Sequence, residues 1–382
     1  MAGDQEVAAC RLEAEGTAVD VAVYPLPDHE GDPWSAWGQG LVLDDGRHLS
    51  AVGDHRGVDG RSYLYEYDPV TATLTLVADI AAEIDGQRDG YGKVHGQLVP
   101  AADGTVLLST YWGDQDDVDP ATYGGDHLLR YNPDARTLED LGALVPGYGV
   151  PSLTGSPDGR LLFGEAVDPA SSEDRGPFFV YDVERQETVF TGGAGAHVGF
   201  RSVLVDAEGR ASFSAGDGRL AVYDPATGEV TTSRAELPGA WLRAATVPAA
   251  DGTVFGATRE PDRLFALRAD GEVEPLGGDI GYTASLALSP DGRFVYYVPG
   301  AHGQGWKQGT PLLALDTATG RSEEIVRLND LVEPAFGVRV GGTYSVAVDP
   351  TGDRVYVTLN GGAPDGESTF GDVVLAVVHV GA

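Results

Sequence analysis

A short β-rich segment, an acidic-Gly turn and a second β-rich segment recur seven times along the 382 residues, and this repeat constrains the fold more than any other feature. The copies read LVLDDGRHLSAV, QLVPAADGTVLLST, LTGSPDGRLLFG, VLVDAEGRASFS, ATVPAADGTVFGAT, LALSPDGRFVYYV and VAVDPTGDRVYVT. Their turn glycines are Gly46, Gly104, Gly159, Gly209, Gly252, Gly292 and Gly352. The intervals, roughly 40 to 60 residues, are close to the length of a four-stranded unit in a radial all-β array. Glycine after Asp, Glu or Thr supplies the positive φ that a tight hairpin turn demands.

A variable loop follows each hairpin, and a third β-rich segment follows the loop: YLYEYDP, HLLRYNP, FFVYDVE, RLAVYDP, RLFALRAD and PLLALDT. Turns such as DPATG at residues 224–228 come next, and segments such as residues 229–233 close the unit. No stretch sustains a 3.6-residue apolar period over helical length. The seventh repeat ends on VVLAVVHV (residues 373–380) with no fourth strand after it, and residues 18–24 (AVDVAVY) are available to supply one. That closure would remove the open edge of an incomplete ring. The expected fold is therefore all-β: a single seven-bladed β-propeller over residues 1–382, closed by the N-terminal strand, with few or no helices. Its blades are expected to open near residues 34, 93, 150, 197, 241, 282 and 336. The SPDGR-type and DPATG turns resemble those of the broad seven-bladed propeller class, which includes lactonases, polysaccharide lyases, quinoprotein-like repeats and scaffolds. The GH and WD pairs of WD40 repeats are missing, which weighs against a protein-interaction scaffold.

Composition narrows the reading. Gly 54 and Pro 23 are too many for a helical protein, and 42% hydrophobic residues are too many for a disordered one. The apolar runs are strand-sized, too short for a transmembrane helix. Residues 1–10 lack a basic segment and an apolar core, so no signal peptide is read and the expected compartment is the cytoplasm. Cys10, the only cysteine, can form neither an internal disulfide nor a thiolate cluster. The net charge is −34, from 59 acids against 25 bases. Such a surface repels nucleic-acid phosphates and anionic lipid, so neither is an expected partner.

In such a ring the first strand of each blade lines the central channel and the second returns, which puts their joining turn on one face. The approach to the first strand and the loop after the second lie on the opposite, upper face. The lower turns are short and nearly interchangeable, whereas the upper segments are long and individual, as function-bearing loops are. Trp34, Trp37, Trp112, Trp241 and Trp306, all five tryptophans, fall in upper segments. So do both lysines, Lys93 and Lys307, and His55, His95, His197 and His302. Arg56, Arg201, Arg243, Arg259, Glu165, Tyr111, Tyr148, Tyr282 and Tyr344 lie at comparable positions. An aromatic-lined mouth would suit a sugar ring, or an apolar or cationic ligand. The candidate substrate-binding set is Trp34, Trp37, Trp112, Trp241, Tyr282, Trp306, Lys307 and Tyr344. Each tryptophan has a competing reading as inter-blade packing.

His95 in GKVHGQL and Tyr111 in STYWGD fall near one level of a hairpin and form a candidate acid/base couple. His197 and Arg201 in HVGFR and Arg243 in WLRA occupy similar upper positions, where a guanidinium fork suits a carboxylate. Glu165 and Asp54 are further acid/base candidates. His55, His95, His197 and His302 come from separate blades and are candidate ligands for Mn²⁺, Fe²⁺ or Zn²⁺ on the axis. The acidic run at residues 114–119 reads either as a Ca²⁺ loop or as solvated surface. No GxSxG elbow, P-loop or helix-opening GxGxxG occurs.

These features lead to an expected enzyme of small organic or oligosaccharide ligands, with a lyase-type elimination on an acidic sugar as the first reading. The architecture resembles that of propeller polysaccharide and oligosaccharide lyases. That resemblance implies carboxylate neutralisation by Arg201 and Arg243 and proton transfer by His95 and Tyr111. Two alternatives stay open: a cyclase whose aromatic cavity shields a carbocation, started by Glu165 or Asp54, and a propeller that binds a ligand or protein without catalysis.

Overall fold

The computed structural model describes residues 5–27, 34–57, 59–84, 91–113, 118–171, 176–192, 202–215, 218–366 and 368–381. Its strands form seven antiparallel sheets of four or five strands, arranged as the blades of a β-propeller. Blade two shows the plan: Lys93–Val94 and Val99–Pro100 share the innermost position, followed outward by Val106–Tyr111, His127–Asn132 and Thr137–Ala143. The expected third strands are present in place, for example Phe178–Asp182, Arg219–Asp224 and Pro311–Asp316.

The seven repeated turns share one geometry. Each turn glycine has φ between 68° and 88° and donates its N–H to the carbonyl three residues earlier, as Gly46 does to Leu43 at 2.9 Å and Gly292 to Ser289 at 2.8 Å. The left-handed glycine after this turn lets the second strand leave in register. Middle strands are buried on both sides by neighbouring blades, and outer strands such as Glu187–Gly192 alternate between exposed and half-buried positions. Blade-to-blade packing is apolar and aromatic: Phe178 of blade three stacks on Phe213 of blade four with ring centroids 4.3 Å apart. Fully burying one such ring contributes roughly 1.5–3 kcal/mol. At the lower rim Glu66 of blade one is buried between Arg47 (2.9 Å) and Arg136 of blade two (2.7 Å).

The N-terminal segment does more than fill one vacant position. Thr17–Val23 pairs with Asp372–His379, with Val21 opposite Ala376, and so forms the fourth strand of blade seven. Cys10–Ala14 adds a fifth strand there, and Glu6–Ala8 crosses to blade one, where Val7 lies opposite Leu74. The seam is pinned by Asp20, which accepts from Arg11 Nε at 2.7 Å and lies 2.8 Å from His379 Nε2. The hydrogen bond from Arg11, with help from His379, holds the Asp20 carboxyl below the usual carboxylate range.

The expected scarcity of helix holds. Ile80–Glu83 makes one turn, and Leu328–Phe336 links blades six and seven. The longer helix buries Leu328 and Val332 and ends at Gly337 in the left-handed conformation. No helix among the described residues is long and apolar enough to cross a membrane.

Candidate active site

Trp37 sits at the centre of the upper mouth because three blades hold the segment that carries it. Ala36 N–H donates to Asn360 Oδ1 of blade seven at 2.7 Å, and Asn360 Nδ2 returns a bond to Ala36 O at 3.0 Å. Gly40 N–H donates to Ser345 Oγ at 2.9 Å, and Gln39 bridges to Gln97 of blade two. Gly38 is pressed against that blade: a Cβ there would stand 2.5 Å from the Gly96 carbonyl oxygen. The indole Nε1–H donates to Ser35 Oγ at 2.5 Å. Side chains fixed from several sides keep their orientation, which is what a preorganised site requires.

Around this indole the structure gathers much of what the sequence singled out. Tyr344 stacks on it at 4.9 Å and 24°, His95 lies nearly parallel at 6.2 Å, and His55 and His302 meet it edge-on at 5.1 and 6.0 Å. Lys93 Nζ stands 4.9 Å from its centroid and 5.9 Å from that of Tyr111. Across the mouth, Arg243 donates from Nε to Tyr282 Oη at 2.7 Å, while the Arg259 guanidinium lies 4.3 Å from the Tyr282 ring. His302 stacks on the same tyrosine at 5.1 Å. Each cation–π contact contributes on the order of 0.5–2 kcal/mol. The result is a mouth rich in cations on a protein of net charge −34.

The His95–Tyr111 couple forms as the hairpin register requires. Tyr111 pairs with Lys93 across the hairpin, and its ring lies 4.8 Å from the His95 imidazole. His95 Nδ1 is 2.7 Å from the Pro151 carbonyl oxygen. A carbonyl only accepts, so Nδ1 carries the proton and Nε2 is the basic nitrogen of the neutral ring. His95 and Tyr111 are both buried.

His55 owes its position to a loop with little room. Asp54 is buried and its Oδ1 accepts from the N–H groups of Arg56 (3.1 Å) and Arg61 (2.9 Å). His55 has φ 60°, and a Cβ on Gly113 would lie 1.6 Å from the Arg56 carbonyl oxygen. Asp54 thus shapes the loop from beneath.

Several candidates lie elsewhere. Trp112 is buried in the core of blade two against Tyr111 and Tyr123, with Gly149 leaving space for its ring. Trp34 packs on Tyr63 at 5.8 Å. Trp241 donates to Glu260 Oε2 at 3.4 Å, and Trp306 is covered by Arg339 at 4.4 Å, with Lys307 exposed beside it. Of the five tryptophans, Trp37 is the one in this cluster, because the other four find packing partners in their own surroundings. Glu165 is buried at the upper end of its strand, where its N–H donates to Ser152 Oγ at 2.7 Å. His197 and Arg201 lie outside the described residues, as does most of the acidic run at 114–119. Among the described residues no three His, Cys, Asp or Glu side chains are grouped to hold a metal ion. His55, His95 and His302 surround the Trp37 indole instead of an open centre.

Phe370, which the sequence reading passed over, stacks parallel to Trp37 at 5.6 Å. Its signal was its place in the upper loop of blade seven. Below the indole the axial passage, lined by Trp37, Gln39, His95, Gln97, Ser202 and Tyr344 among others, holds about 20 Å³. That is room for about one water, so an organic ligand reaches these groups from above. A roomier hollow of about 690 Å³ lies between the outer strands of blades five and six and contains none of the candidate residues.

No protein-family model matches the sequence, and no curated protein matches it. Among solved structures the chain is similar to virginiamycin B lyase from Staphylococcus aureus, in a catalytically inactive variant with quinupristin. The TM-score is 0.59 at 10% identity, covering 94% of this chain and 99% of that one. The selenomethionine form of that lyase gives 0.58 at 9% identity over 94% and 99%. Hydrazine synthase from Kuenenia stuttgartiensis gives 0.56 at 14% over 87% and 95%. At these identities the likeness is one of fold.

Proposed function

We propose that the upper mouth is the active site of a lyase-type enzyme that eliminates across an acidic sugar. The observation that carries this reading is the His95 imidazole, with its proton fixed on Nδ1 by Pro151, standing against Tyr111 within a cation-rich mouth. Arg243, oriented by Tyr282, and Lys93 neutralise the substrate carboxylate and so acidify the adjacent C–H. His95 Nε2 takes that proton. The released electron pair forms a C=C bond, the β C–O bond breaks, and the Tyr111 hydroxyl proton goes to the leaving oxygen. Proton return from His95 to the Tyr111 phenolate regenerates both groups. A fold neighbour that is named a lyase supports elimination chemistry on this kind of scaffold.

The test is to incubate a panel of uronate oligomers with the protein and follow the ultraviolet absorbance of the new conjugated double bond. His95→Ala and Tyr111→Phe are each expected to slow the reaction by roughly 10²–10⁴-fold. Folded variants that retain the wild-type rate contradict the assignment. A second reading, binding without turnover, is favoured by the way Lys93, Arg259 and His302 cover the aromatic faces; it predicts a bound acidic sugar and no product. The same cations weigh against a cyclase, since they would repel a carbocation.

A further inference from the structure

Asp126 drew no attention in the sequence, yet its buried carboxyl group joins the segment that carries Tyr111 to the segment whose carbonyl holds the His95 ring. Its Oδ1 accepts from Thr110 Oγ1 at 3.1 Å, and Thr110 directly precedes Tyr111. Its Oδ2 accepts from the N–H of Val150 at 2.6 Å, and Val150 directly precedes Pro151, whose carbonyl holds His95 Nδ1. Thr110 Oγ1 also accepts from His127 N–H at 3.0 Å, so its own proton is directed to the carboxylate. The Asp126 N–H donates to Tyr148 O at 3.0 Å, which fixes Asp126 through the backbone to the segment that runs on to Pro151. A carboxyl group taken wholly out of water is costly unless its oxygens are satisfied, and here both are used on this junction.

We propose that Asp126 is a positioning residue that sets the spacing and the tautomer of the His95–Tyr111 couple by clamping Thr110 to Val150. The proposal rests on reading those two residues as the reacting pair, but the clamp can be tested without substrate. Asp126→Asn can keep both bonds, with its carbonyl oxygen toward Val150 and its amide toward Thr110; Asp126→Leu removes both.

The experiment is ¹⁵N NMR of the full-length chain, with the His95 imidazole assigned by comparison with His95→Gln. In wild type and Asp126→Asn the Nδ1–H tautomer is expected to dominate. In Asp126→Leu the tautomer ratio is expected to shift toward Nε2–H by roughly five- to tenfold, the effect of losing one hydrogen bond. A folded Asp126→Leu protein with an unchanged His95 tautomer overturns the proposal, since a residue needed only for stability would lower Tm and leave the tautomer alone. Should that variant fail to fold, Thr110→Val cuts the Tyr111 arm of the clamp, together with the acceptor of the His127 N–H, and leaves the Val150 arm in place. It is then expected to weaken the nuclear Overhauser contact between His95 and Tyr111, and an unchanged contact overturns the proposal equally.

Discussion

His48 and Asp126 are buried titratable groups whose environments act in opposite directions. His48 is fully buried, stacks on Tyr356 at 5.0 Å, and has no hydrogen-bond partner at either ring nitrogen among the described residues. Burial pushes its pKa down to about 3, so the folded protein holds it neutral. An unfolded chain takes up that proton near pH 6.5, and the folded one does not. Stability is therefore lost as pH falls from about 6.5 toward 3, at roughly 1.4 kcal/mol per pH unit. Burial pushes the Asp126 carboxyl up to about 7. Its contribution is fully present below pH about 4 and is lost as pH rises through 7. Urea midpoints measured across this range should become less acid-sensitive in His48→Phe and less sensitive to rising pH in Asp126→Asn. Unchanged pH profiles in both variants would contradict these assignments.

At the level of strands, the N-terminal segment makes a specific prediction. Deleting residues 5–14 removes the fifth strands of blades one and seven but leaves Thr17–Val23 in place. Losing the half-buried Val7 and Leu12 with their strand pairing should cost roughly 2–5 kcal/mol, read from denaturant midpoints. The mouth lies at the other end of these contacts, so ligand binding should be retained. A deletion that leaves the midpoint unchanged contradicts the role given to these strands. The seven hairpins and the closing strand were legible because a left-handed glycine and a long β-rich run are strong local signals. Glu6–Ala8 and Cys10–Ala14 are too short, and too exposed on one side, to show a period. Leu328–Phe336 spans nine residues and includes Pro334, which hid its helical repeat.

For the molecule as a whole, the sequence pointed to the upper face because the loops there are individual, and Trp37, Lys93, His95, Tyr111, Arg243, Tyr282 and Tyr344 do meet on it. It did not distinguish Trp37 from the other tryptophans, since that depends on what the neighbouring blade offers: a glycine shelf for Trp112, an arginine for Trp306. Asp126 was hidden for the same reason, since in a chain with 59 acids a buried one looks like any other. The central claim is that a surplus of acids outside surrounds a mouth built to hold an anion. Titration calorimetry with a uronate disaccharide and its neutral methyl ester tests it most directly. The acid is expected to bind and the ester to bind at least tenfold more weakly, with Arg243→Gln reducing affinity for the acid by roughly 10–100-fold, the worth of a charge-assisted hydrogen bond. Equal binding of acid and ester, or an Arg243→Gln protein with unchanged affinity for the acid, would contradict an anion site at this mouth.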